Sequence, residues 1–99
     1  MKSPAQLAEQ KRLDDEIMYY IRESQRLAPV TLDAVHNYLT RIRHFSLSEE
    51  LAADRLDYLV GRDCLAAEEQ WQEGVGQVKH YTITAKGRDI MDGVLPPDA

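Results

Sequence analysis

The chain lacks most of the residues from which recognisable active sites are built. Its single cysteine, Cys64, excludes an internal disulfide and any zinc site made from cysteine pairs. No apolar run approaches the roughly 18–20 residues that cross a bilayer. The opening stretch MKSPAQLAEQKR has no apolar segment of the secretory kind. A cytoplasmic protein is therefore expected. No glycine-rich phosphate loop is present, because EGVGQ joins two extended runs and does not open a helix. His36, His44 and His80 are scattered, and none has the spacing of an H-E-x-x-H metal site. Ser46 and Ser48 stand in helix-capping positions and not in a G-x-S-x-G elbow. Glu68 and Glu69 are neighbours in a predicted strand, so they face opposite ways and cannot work as a carboxylate pair. The sequence thus predicts a non-enzymatic protein with no catalytic residue, no metal and no cofactor.

What remains is ordinary globular material. The 99 residues are 43% hydrophobic and 29% charged, enough for one small domain with a modest core. The net charge of −5 is unevenly spread. Residues 1–44 hold seven Lys/Arg and six Asp/Glu, whereas residues 45–99 hold five and eleven. The second half should repel nucleic acid and anionic membrane wherever its carboxylates face outward.

Apolar periodicity predicts four helices and a hairpin. The first helix runs from about Pro4 to Arg26, opened by Ser3 and by a proline that needs no N–H in the first turn. Leu13, Ile17, Tyr20, Ile21, Ser24 and Leu27 recur on one stripe, with Met18 and Tyr19 beside it. Residues 1–12 read as a helical extension of a domain spanning 13–93, and residues 94–99 as a flexible tail. Pro29 ends the helix, and Val30 is read as a short edge strand. Thr31 caps a second helix with Leu32, Val35, Tyr38, Leu39 and Ile42 on its inner side. Either Ser46 or Ser48 caps the third, which runs to about Arg62 with Ala52, Leu56, Leu59 and Val60 inward. CLAAEEQW and QVKHYTIT form a hairpin whose tip uses Gly74 and Gly76. In the second run Tyr81 and Ile83 alternate with His80 and Thr82, so the former face inward. Trp71 is read as a cover for the core edge beneath the hairpin; exposed, it would mark a contact site. Thr84 caps a last helix that Gly93 ends.

Two local patterns carry a family resemblance. LDYLVGRDCL resembles the Leu-x-x-Leu-x-x-x-Gly-x-Leu with which MarR and PadR regulators leave their DNA-reading helix and enter the wing. YTITAKGRDIM is similar to their Tyr-x-Leu-Thr-x-x-Gly segment, which ends the wing. Over residues 13–93 the resemblance implies an α+β winged helix: a three-helix core, a β-hairpin wing and a C-terminal helix. It also implies a transcription regulator, and such small regulators commonly dimerise through terminal helices. Two departures stand out. Asp63 replaces the usual Gly, at a position where Asp tolerates a left-handed backbone. The third helix presents acids where the family presents polar, neutral or basic side chains.

The expected sites derive from that second departure. Between Ser46 and Gly76 there are two arginines and eight carboxylates. DNA affinity comes largely from Lys and Arg on phosphates. Glu50, Asp54 and Asp57, with Tyr58 at the edge, are therefore expected to dock a protein with a basic surface. The sequence reads first as a regulatory or assembly module working through protein contacts. The alternative is a DNA-binding transcriptional regulator, bacterial or phage-like, that touches phosphates through Arg41, Arg43 and His44 after the second helix and through Lys79 and His80 on the wing. Met18 and Tyr19 are expected to serve a homodimer contact.

Overall fold

A computed structural model describes residues 3–97. Met1 and Lys2 of the expected extension, and Asp98 and Ala99 of the expected tail, lie outside the described residues.

Helix α1, Pro4–Ser24, opens on a capping box: Ser3 accepts from the Gln6 amide, and Gln6 Oε1 accepts from the Ser3 amide at 2.9 Å. Burial starts at Leu13 and continues through Ile17, Met18 and Ile21. Met18 is only 4% exposed, which corrects its expected place beside the core stripe. The reason is that α1 packs against helices, wing base and C-terminal helix together, so its buried sector is wider than one stripe. Leu27, expected on that stripe, is instead 90% exposed, because the helix stops at Ser24 and its periodicity stops with it.

Thr31 caps helix α2, Leu32–Asn37, through the Ala34 amide. A π-helical turn, Tyr38–Ile42, comes next and closes with the Arg43 amide on the Tyr38 carbonyl at 3.1 Å. The wider turn holds an extra residue and rotates the chain beyond it. Leu39 stays buried, but Ile42 turns out to solvent, against expectation.

Ser48, and not Ser46, caps helix α3, Glu49–Gly61, through the Leu51 amide. Its inner face is Ala52, Leu56 and Leu59, all buried as the spacing predicts, with Val60 partly buried. The chain then turns through Asp63 at φ 63°, in the left-handed region. Strand β1, Leu65–Gln72, pairs antiparallel with β2, Gly76–Ile83, in a register from Leu65 opposite Ile83 to Gln72 opposite Gly76. Val30 adds a single bridge to β2 at Tyr81. Only the wing base is buried; from Ala66 to Val75 every residue is exposed. Trp71, at 71% exposure, covers no core edge, because the hairpin has already left the core where it stands.

His80 corrects the expected alternation. It is buried beside Tyr81 because the α1–α2 linker covers the other side of the wing base. Gln25 at the end of α1 reaches across to accept from the Ile83 amide at 2.8 Å. Thr84 then caps helix α4, Ala85–Met91. Gly87 lies against the Cys64 carbonyl, where a Cβ would overlap the oxygen. That close approach explains the glycine of the YTITAKG segment. The result is an α+β fold: three helices and a C-terminal helix on a core that runs into the base of a projecting hairpin.

Candidate nucleic-acid interface

Helix α3 and the wing are the surfaces that the sequence resemblance put forward for a nucleic-acid contact, so their charges bear on what the site can do. Glu49, Glu50, Asp54 and Asp57 are all exposed on α3. The helix's arginine is committed elsewhere. Arg55 donates twice to Asp14 on α1, Nε to Oδ1 at 2.9 Å and Nη2 to Oδ2 at 2.6 Å, in a pair whose side chains are both 13% exposed. Its guanidinium also lies 4.4 Å from the Tyr58 ring centroid. The hydrogen bonds to Asp14 hold the Arg55 pKa above its ordinary value against the cost of burial. Just past the helix, Arg62 donates to the Tyr58 hydroxyl and to the Pro97 carbonyl.

Asp57 and Tyr58, neighbours on α3, border different clefts. Asp57 lines a cleft of about 330 Å³ between α3, the start of α2 and the wing, with Asp33, Lys79 and Tyr81. Burial, then the negative charge of Asp57, raises the pKa of the Tyr81 hydroxyl. Tyr58 sits on the other flank, beside Leu7 and Met18 of α1.

The five residues expected to touch phosphates divide three ways. His80 is buried, and its Nε2 has no hydrogen-bond partner among the described residues. Arg43 is exposed but bound, its Nη2 2.9 Å from Glu16 Oε1 on α1. The same Glu16 accepts from the Tyr38 hydroxyl at 3.0 Å, and burial with that bond raises the Tyr38 pKa. Arg41, His44 and Lys79 are exposed, and neither Arg41 nor Lys79 makes an ion pair among the described residues. His44 has φ 59°, a strained turn after the π-helical segment. The structure does not unite the set: Arg43 faces α1, and Lys79 faces the α2–α3 cleft.

Sequence spacing missed the contacts that take Arg43 and Arg55 out of play. Their partners lie 27 and 41 residues away, beyond the reach of any local pattern. Among the described residues no group of three or more His, Cys, Asp or Glu is placed to hold a metal ion, and no helix is long and apolar enough to cross a membrane.

The fold has counterparts among solved structures. One is a PadR-like transcription factor from Bacteroides fragilis, at TM-score 0.76 and 19% identity, covering 91% of this chain and 82% of that one. The fold is that of the PadR-type winged helix. A PadR family transcription regulator from a hypervirulent Clostridium difficile matches at TM-score 0.67 and 17% identity, over 83% of this chain and 81% of the other. At these identities the likeness establishes the fold. No protein-family model and no curated protein matches the chain.

Proposed function

We propose that the chain is a winged-helix transcription regulator that contacts DNA through phosphates at the flanks of α3, with Lys79 on the wing and Arg41 in the π-helical turn after α2 as the principal cations. The observation that supports this is the exposed α3 beside a long wing, an arrangement shared with two structures described as transcription regulators. The outward carboxylates of α3 keep non-specific affinity low, so that binding is weak for one copy and is raised by pairing two. Met18, buried in the core, takes no part in that pairing. Tyr19, half exposed on α1, is the residue that remains available for it.

Fluorescence anisotropy with a labelled mixed-sequence duplex tests the proposal. Lys79→Ala and Arg41→Ala should each weaken binding by about threefold to tenfold, each removing roughly one phosphate contact. An unchanged affinity in both variants would remove these residues from the interface. Light scattering at high protein concentration tests the pairing, and a monomer mass there would refute it.

A second reading is supported by one observation: Glu50, Asp54 and Asp57 are exposed and unpaired among the described residues. In that reading the acidic face docks a basic protein surface by charge complementarity. Absence of duplex binding even at low salt would favour it over the first.

A further inference from the structure

The projecting wing has an open side. Ile83 donates its amide to Gln25, and Tyr81 donates to the Val30 carbonyl, both away from β1. Tyr81 and Ile83 therefore sit in the non-hydrogen-bonded pairs of the antiparallel ladder, opposite Ala67 and Leu65. By alternation the main-chain groups of Ala67, Glu69 and Trp71 point out from the free edge of β1, while those of Ala66, Glu68, Gln70 and Gln72 bond to β2. This edge is fully exposed, has no proline, and is covered by no element among the described residues. Such an edge is a template for another strand.

The side chains select the strand. Ala67, Glu69 and Trp71 lie on one face of the hairpin, and Ala66, Glu68 and Gln70 on the other. Glu68, Glu69 and the tip residue Glu73 form no ion pair among the described residues. Antiparallel pairing of β1 with β1 of a second copy would bring these glutamates together, and like charges facing across a ladder are destabilising. Small Ala66 and Ala67 admit a close neighbour, and Trp71 offers an exposed aromatic anchor.

We propose that the free edge of β1 is a strand-addition site for an extended, basic segment of a partner protein. Its cations would meet Glu68 and Glu69, and an apolar side chain would meet Trp71. The edge excludes self-pairing by charge while admitting a strand of opposite sign. The inference is argued from the main chain of β1, with Glu69 standing opposite Lys79 in the register, and the N-methylated peptide tests it without altering either residue.

The test uses the full chain and a capped eight-residue valine peptide carrying two adjacent central lysines, which as neighbours in a strand face opposite ways and so can meet Glu68 on one face and Glu69 on the other. Trp71 is the protein's single tryptophan and reports binding through its own emission. The expected result is saturable binding with a blue shift. It should weaken about tenfold or more when the peptide backbone is N-methylated along one edge, and similarly in Glu69→Pro, which deletes an outward N–H. The N-methylated peptide needs no protein variant, so it decides the matter even if Glu69→Pro fails to fold. Glu68→Lys with Glu69→Lys should switch preference to the same peptide with its two lysines replaced by glutamates. Equal binding of the N-methylated peptide would reduce the effect to charge attraction and overturn the proposal. Absence of binding, or a dimer abolished by Glu69→Pro, would overturn it as well.

Discussion

The inner and outer faces of α3 come from the same thirteen residues but are tied to different parts of the molecule. Inward, Ala52 is fully buried, Leu56 and Leu59 join the core formed with α1, α2 and the wing base, and Arg55 is clamped to Asp14 at the side. Outward, Glu50, Asp54 and Asp57 meet water and a cleft with a single lysine in it. The first face fixes where the helix lies, and the second fixes what the helix can approach. A winged helix can therefore keep its architecture intact while the exposed face of its third helix is acidic.

Substitutions on the two faces should separate this structural role from the functional one. Leu56→Ala, at a fully buried site, should cost about 3–4 kcal/mol by denaturant titration, mostly through lost burial and the cavity left behind. Arg55→Ala should cost about 2–3 kcal/mol, because it strands Asp14 in a largely buried position. A loss under about 0.5 kcal/mol there would make the clamp a surface pair of the usual weak kind. At the end of the helix, Asp63→Gly should stabilise by about 0.5–1 kcal/mol, since glycine adopts the positive φ without a Cβ penalty. Asp54→Asn with Asp57→Asn should change stability by less than about 0.5 kcal/mol in the same titration. A marked loss from that pair would mean the outward face carries structure after all.

Much of the fold was legible because it depends on local rules. Ser3, Thr31, Ser48 and Thr84 cap the four helices as their residue types suggest, and the stripe Ala52, Leu56, Leu59 is buried as its spacing predicts. Asp63 takes the left-handed turn expected of it. The misplacements arise where a tertiary contact overrides period. Met18 is buried because α1 has neighbours on several sides, His80 because a linker covers the second face of the wing, and Ile42 is exposed because a π-helical turn shifts the helical phase. The site was less legible than the fold. Its charge balance is plain in the composition. That Arg43 and Arg55 are spent on Glu16 and Asp14 depends on contacts between distant segments, as does the open edge of β1.

The central claim is that the outward carboxylates of α3 oppose DNA while a few flanking cations engage it. The salt dependence of duplex binding tests this most directly, measured from about 50 to 200 mM on the wild type and on the Asp54→Asn, Asp57→Asn variant. The wild type should bind with a log–log slope of about −2 per protomer, set by two free cations, and the variant should bind several-fold more tightly. A slope near −4 per protomer, or weaker binding by the variant, would contradict the account. The steep slope would require phosphate contacts from cations now held by Asp14 and Glu16. Weaker binding would mean that the carboxylates themselves read the bases.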